Sequence, residues 1–348
     1  MNNLDKQYLE ILNEILENGV KKTNRTGVDT LSVFGKQIKH NMAEGFPLLT
    51  TKRVPFRIVK EELLWFISGS SDIRDLWKNK VHIWDGDWYK NYLNSTSVPY
   101  TLEKMIKMGT QKNRSQKFHD SIWDLGKIYG FQWRHWNGHK SFNSITSELK
   151  YTRTGIDQLK NLLNDLKENP DSRRLMVTAW NPQQLSQMVL PPCHYGFQVW
   201  ARELTRKERA DYLAKRVLTG DLGTIGKEEI DLSEVDLDKE APRRGISLLW
   251  NQRSCDFPLG IPFNIASYGI LLLMLADEVG MVPEMLIGNF GDCHIYEDQI
   301  SGVLEQLERE PRKLPTLHIR DGMHSCGEGD FILENYNPHP TIKFPLSN

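Results

Sequence analysis

The apolar positions of this chain recur with two periods, and the switches between them outline its elements. Residues 4–18 alternate apolar and charged side chains at helical spacing and stop at Gly19, which predicts a first helix. Thr30-Leu31-Ser32-Val33-Phe34-Gly35 reads as a strand. Ile58 to Phe66 is apolar-rich and predicts a helix with Trp65 in the core. Leu159, Leu162, Leu163 and Leu166 fall at i, i+3, i+4 and i+7, so an amphipathic helix is expected over 156–168, ending at Asn169-Pro170. Arg174 to Trp180, Tyr195 to Ala201 and Ile246 to Trp250 read as strands. Ile265 to Val279 is nearly all apolar, and a helix of that composition must be central and buried.

Two stretches break the pattern. Residues 95–122 are polar and basic, with Lys104, Lys107, Lys112, Arg114 and Lys117, and read as a surface excursion. Residues 202–245 are charged. Within them Thr205-Arg206-Lys207-Glu208 fits a capping box and predicts a helix from 206 to 217. The remainder reads as a solvated insertion, with a lid or a partner contact as the functional alternative. No repeat, low-complexity tract or Pro/Gly linker divides the chain, so 1–348 is read as one domain carrying these two insertions.

Composition narrows the function. A net charge of −1 gives no basic field for a nucleic-acid duplex, so no DNA binding is expected. The four cysteines, Cys193, Cys255, Cys293 and Cys326, form no C-x-x-C pair, which argues against zinc; no metal is expected. They are too few for a disulfide scaffold in a chain of this length, which points to a reducing, cytoplasmic setting. Met1-Asn2-Asn3-Leu4-Asp5-Lys6 does not read as a signal peptide, and no apolar run is read as long enough to span a membrane.

The candidate chemistry centres on Leu190-Pro191-Pro192-Cys193-His194 and on Asn251-Gln252-Arg253-Ser254-Cys255-Asp256. A free cysteine is most often a small buried hydrophobe. Here a histidine and nearby arginines can raise its thiolate fraction, and two prolines stiffen its backbone. Arg173-Arg174 and Arg253-Ser254 suit phosphate, since arginine forks bind its oxygens bidentately; Arg25 is another candidate. An exposed basic edge is the alternative for the first pair. Asn264, at the start of the apolar helix, reads either as an N-cap or as an amide that pairs with N3–H and O4 of uracil and mismatches cytosine. Glu62 lies either on an exposed helix face or in a buried place where it moves protons. His294 and Tyr296 alternate as on a strand, and both can donate to a sugar hydroxyl. Together these groups suit covalent chemistry on a nucleotide base.

Ordered motifs over nearly the whole chain resemble the thymidylate synthase family. They include Gly45-Phe46-Pro47-Leu48-Leu49-Thr50-Thr51-Lys52-Arg53, Glu62-Leu63-Leu64-Trp65-Phe66, Ile83-Trp84-Asp85 and Tyr129-Gly130-Phe131-Gln132-Trp133-Arg134. They continue with Asp171-Ser172-Arg173-Arg174, Leu190 to His194, Gln252-Arg253-Ser254, Pro262 to Tyr268, and Gly291-Asp292-Cys293-His294-Ile295-Tyr296. The resemblance implies an α/β (α+β) fold with a large mixed β-sheet flanked by helices, and a homodimer packed through the sheet. It implies methylation of dUMP at C5 by 5,10-methylenetetrahydrofolate, with Cys193 attacking C6. Arg25, Gln252, Arg253 and Ser254 would bind dUMP, with Arg173 and Arg174 supplied across the dimer. Asn264 would read the uracil edge, and His294 and Tyr296 the ribose. Glu62, Tyr129 and His194 would manage protons and water. Asp256 would hydrogen-bond the pterin, packed by Ile83, Trp84, Leu190, Gly260 and Phe263, and Lys52 and Arg53 would meet the glutamate tail.

The chain departs from the family pattern at Asn251, where a Tyr is usual, at Lys127-Ile128, after Trp84-Asp85, and at its polar Ser347-Asn348 end. A looser C-terminal lid would admit water, so a dUMP hydroxymethylase on the same scaffold is the alternative.

Overall fold

The computed structural model describes residues 2–24, 27–97, 99–111, 120–143, 148–151, 155–218, 236–324 and 328–346. Arg25, Cys326 and the Ser347-Asn348 end therefore lie outside the described residues, as do Lys112, Arg114 and Lys117.

The strands are β1 (Val20–Lys22), β2 (Thr30–Asn41), β3 (Lys140–Asn143), β4 (Glu148–Tyr151), β5 (Met176–Thr178), β6 (His194–Glu203), β7 (Arg244–Asp256), β8 (Val282–Tyr296), β9 (Thr316–Ile319) and β10 (Phe331–Glu334). Six of them form one sheet in the order β1-β2-β8-β7-β6-β5, and β3-β4 and β9-β10 are separate pairs. Within the large sheet β7 and β8 run parallel and the other pairs antiparallel, so the sheet is mixed, as expected. A parallel pair needs a crossover. Here it is the helix Gly260–Val279, which lies against both strands.

The helices are α1 (Asn3–Asn18), α2 (Phe56–Ser68), α3 (Ile73–Lys78), α4 (Asp85–Ser95), α5 (Leu102–Thr110), α6 (Tyr129–His135), α7 (Gln158–Glu168), α8 (Arg206–Leu218), α9 (Leu237–Glu240), α10 (Gly260–Val279) and α11 (Ile300–Leu307). α10 is buried around its circumference, by the sheet on one side and by α2 and α7 on others. Its 20 residues, with mean hydropathy 1.4 over the most apolar stretch, are long and apolar enough to cross a membrane, which corrects the expectation that no run reaches that length. Pro262, Asn264 and Tyr268 interrupt the run to the eye, but 72% of its most apolar window is buried inside the fold. Composition alone does not separate a core helix from a membrane span.

Three further expectations need correction. The strand read over 174–180 shrinks to Met176–Thr178. The 95–122 stretch is not all surface, because α5 inserts a fully buried Met105 and packs on α3. The sheet claims the ends of 202–245: Arg202-Glu203 belong to β6 and Arg244-Gly245 to β7.

The capping box of α8 forms as read. Glu208 N–H donates to Thr205 Oγ1 at 3.2 Å, and Thr205 N–H to Glu208 Oε2 at 2.7 Å. α8 shares a small apolar cluster, Leu213, Leu237 and Ala241, with α9. Arg202 ties it to the sheet by binding both Glu208 and Glu284.

One face of the sheet is covered by α1 and α10. The other carries a shallow groove of about 530 Å³, lined among others by Phe34, Gln37, Tyr195, Asn251, Arg253 and Asn289. Phe34, Trp200 and Met176 are 81%, 57% and 56% exposed, large apolar side chains turned to solvent.

Candidate active site

Cys193 stands at the entry to β6, where the ladder with β7 shifts register between His194 and Gly196. Such a bulge re-aims side chains at a strand end. The two prolines before it bring no amide donors but two carbonyls, and Arg253 takes both: Nε donates to Pro192 O at 2.9 Å and Nη2 to Pro191 O at 3.0 Å. The Arg253 N–H also donates to Cys193 O at 2.8 Å, and its guanidinium lies 5.3 Å above the Trp180 ring. The turn carrying the thiol is thus held by a permanent cation.

Tyr129 opens α6, and its Oη accepts the Cys193 N–H at 2.7 Å. Burial pushes its phenol well above the ordinary range, so it keeps its proton. The His194 ring packs on Tyr129 with centroids 4.3 Å apart and planes tilted by 31°, and its Nδ1 lies 2.9 Å from Tyr268 Oη. Burial pushes His194 down to about 3, so the ring is neutral. Glu62, on α2, accepts the Trp84 Nε1–H at 2.7 Å. Burial raises its carboxyl to about 7 against the opposing pull of that indole. Trp84 meets Tyr129 edge-on at 5.9 Å, and Phe66 stacks on Tyr129 at 4.7 Å. Five of the expected residues, Cys193, Tyr129, His194, Glu62 and Trp84, therefore share one aromatic box.

Asn264 is not an N-cap. α10 starts at Gly260, a turn earlier, and Asp256 Oδ1 accepts the N–H of Leu259, the residue before Gly260, at 3.1 Å. Asn264 lies in the second turn, where Nδ2 donates to Gln252 Oε1 at 3.0 Å. Gln252 is buried, and its Nε2 is spent on Ser254 O at 3.0 Å. Its oxygen must therefore face Asn264, which fixes the orientation of the Asn264 amide. One Nδ2–H and Oδ1 remain, a donor beside an acceptor.

His294 and Tyr296 share a face at the end of β8. His294 Nδ1 lies 3.2 Å from Asp292 Oδ1, and Asp292 also accepts from Ser32 at 2.7 Å and Lys22 at 3.0 Å. These contacts hold the Asp292 carboxyl well below the usual range. Ser254, half-buried near the end of β7, pairs in register with Asp292.

Asp256 is tied to Gln299, whose Nε2 lies 3.2 Å from Oδ2 and 3.2 Å from Pro345 O. Burial raises its carboxyl. Ile83, Leu190, Gly260 and Phe263 are each half-buried. Lys52 is turned into the protein: it donates to Pro258 O, and its Nζ lies 4.5 Å from the Phe344 ring. Burial lowers it to about 7, partly offset by Asp256. Arg53 beside it is exposed, and the loop before it is anchored by buried Asp5, which accepts from Thr50 and Thr51. Arg173 and Arg174 are exposed beside the edge strand β5.

Sequence reading missed Tyr268, Asp292, Gln299 and Trp180, each bonded to or stacked on an expected residue. Two had a signal. Tyr268 falls one turn after Asn264 on the same helix face, and Asp292 two residues before His294 on the same strand face. Among the described residues no group of His, Cys, Asp and Glu could hold a metal ion. A family model described as thymidylate synthase matches residues 6–348.

Proposed function

The chain belongs to the thymidylate synthase family, and from that premise we propose that it methylates dUMP at C5 with 5,10-methylenetetrahydrofolate as donor. The observation that carries the reading is the aromatic box. It joins a cysteine held by Arg253, a phenol on that cysteine's backbone, and a carboxyl whose proton equilibrium lies near neutrality.

Each residue has a task. The Cys193 thiolate forms a bond to C6 of uracil, and the electron pair displaced from the 5,6 double bond makes C5 nucleophilic. Asn264 accepts from N3–H and donates to O4 through the amide that Gln252 orients. Arg253 and Ser254 bind the phosphate, and His294 and Tyr296 the ribose hydroxyl. Glu62, near neutrality, takes up and returns protons as charge develops on the base. Once C5 carries the new carbon, loss of the C5 hydrogen as a proton breaks the bond between that carbon and the donor's nitrogen and leaves a methylene on C5. As hydride adds to that carbon, the electron pair moves into the ring, restores the 5,6 double bond and expels Cys193 as thiolate.

The donor supplies the carbon and the hydride that reduces it. The residues fit such a group: Ile83, Leu190 and Phe263 offer half-buried apolar surface, and Asp256 a carboxylate for a heterocycle's N–H groups. Arg53 is an exposed cation for an anionic tail.

We also propose a homodimer through the open sheet face, in a reducing, cytoplasmic setting. The exposed Phe34, Trp200 and Met176 support it. So does an amide ladder on that face, where Gln37 donates to Asn289 at 2.7 Å and Asn289 to Asn251 at 3.2 Å. Arg173 and Arg174, exposed on their own chain, would complete the partner's phosphate site.

The test is the product made from dUMP and methylenetetrahydrofolate. The expected outcome is dTMP with one dihydrofolate per turnover, lost in Cys193→Ser while dUMP still binds. A product heavier by CH₂O with tetrahydrofolate released would establish hydroxymethylation instead. Near-normal turnover in Cys193→Ser would remove the nucleophile.

A further inference from the structure

Tyr268 Oη lies 2.9 Å from His194 Nδ1, and both residues are buried, at 2% and 8% exposure. The phenol cannot swing away. Trp250 stacks on its ring with centroids 5.1 Å apart and planes 11° off parallel, and Phe197 meets its edge at 5.9 Å.

Hydrogen-bond accounting then decides where the imidazole proton sits. A phenol carries one donor, and leaving it unpaired in the interior costs about 1–3 kcal/mol. Among the described residues, His194 Nδ1 is the hydrogen-bond partner of Tyr268 Oη. If Nδ1 carried a proton and donated it to Oη, the phenol's own hydrogen would have no acceptor. If both pointed inward, two donors would collide. The arrangement that satisfies both groups has Oη–H donating to a bare Nδ1. Burial keeps the phenol protonated and the imidazole neutral, so neither escapes by changing charge.

We infer that Tyr268 is a positioning residue that holds His194 as the Nε2–H tautomer, so that this imidazole serves the reaction as a hydrogen-bond donor and not as a base. Nε2 makes no hydrogen bond to protein among the described residues, so its N–H is open to a bound water or to a substrate oxygen. Proton uptake from the base then falls to Glu62. The tautomer follows from the hydrogen-bond geometry and the burial of both groups; its use in catalysis rests on the function proposed above.

Nitrogen NMR of the full chain labelled with ¹⁵N-histidine tests this, with the His194 signals assigned by their loss in His194→Asn. The expected spectrum has an unprotonated Nδ1 and a protonated Nε2, unchanged from about pH 6 to 9. Tyr268→Phe deletes only the donor. Its Nδ1 signal should move toward the protonated value as the second tautomer becomes populated. kcat should fall about tenfold, the rate equivalent of one hydrogen bond, with KM for dUMP changed less than about twofold. A wild-type proton on Nδ1, or identical nitrogen shifts in Tyr268→Phe, would overturn the inference. If that variant does not fold, the wild-type spectrum decides alone. These shifts are read without substrate, so they stand whatever the product assay returns.

Discussion

Glu62 keeps its proton at pH values where a solvated glutamate has lost it, because its carboxyl is enclosed by protein and meets one indole N–H. Its folded value, about 7, lies above the ordinary 4.5. The folded chain therefore holds an extra proton between those values. Stability carries no penalty below the window, falls as pH rises through it, and bears the full penalty above. Glu62→Gln keeps an oxygen for Trp84 and removes the charge. Melting curves should show it more stable than wild type above about pH 7, by at most about 3 kcal/mol, with the gain gone below about pH 4. Turnover should be lost in the same variant. Equal stabilisation at both ends of the pH range would mean that the carboxyl is not buried in its charged form. Asn264 is set by a different constraint, the amide of Gln252. Asn264→Asp should erode the preference for dUMP over dCMP, since a protonated carboxyl can donate to cytosine N3 and accept from its amino group. An unchanged ratio of kcat/KM for the two nucleotides would leave Asn264 with no part in reading the base.

At the scale of elements, the aromatic box depends on how closely α6 approaches α2. Gly130 makes that approach possible: a Cβ there would lie 2.4 Å from Phe66 O, and backbone cannot yield as a flexible side chain can. Gly130→Ala should push the two helices apart, moving Tyr129 relative to Glu62. The expected cost is about 1–3 kcal/mol of stability. kcat should fall further than the stability loss explains when measured well below the melting temperature. Wild-type kcat at such a temperature would show that the helix spacing tolerates the methyl group. The β6–β7 bulge and the Arg253 contacts do the corresponding work for Cys193.

At the scale of the whole molecule, Arg173 and Arg174 lie at one edge of the sheet while Arg253 stands at the cysteine turn. A second copy on the open face would bring the two together. Mixing a Cys193→Ser chain with an Arg173→Ala chain tests this. A mixed dimer would hold one site with both defects and one with neither, so random exchange should restore about a quarter of wild-type activity. No rescue in verified mixed dimers would return Arg173 to its own subunit's site or remove it from the site altogether.

The long elements are legible in the chain without its fold, because periodic apolar side chains report burial locally. α1, α7 and the apolar body of α10 follow their patterns closely, and the Thr205–Glu208 box starts α8 where its spacing says. The ordered motifs also carried the family, since a cysteine after two prolines and an Asn in an apolar helix are legible as residue types in order. Whatever depends on neighbours distant in the chain emerged only once the elements were packed together. Asn264 read either as a cap or as a base-reading amide because the helix start is ambiguous from sequence; α10 starts a turn earlier, and Gln252 claims the amide. α10 passes as a membrane span by composition and is a core helix because a sheet and two helices enclose it. Lys52 was expected to meet the glutamate tail beside Arg53, yet it is buried and its Nζ lies over the Phe344 ring, 292 positions later. The Glu62 proton and the His194 tautomer follow the same logic: each is set by the burial and hydrogen bonds that Trp84 and Tyr268 bring from elsewhere in the chain.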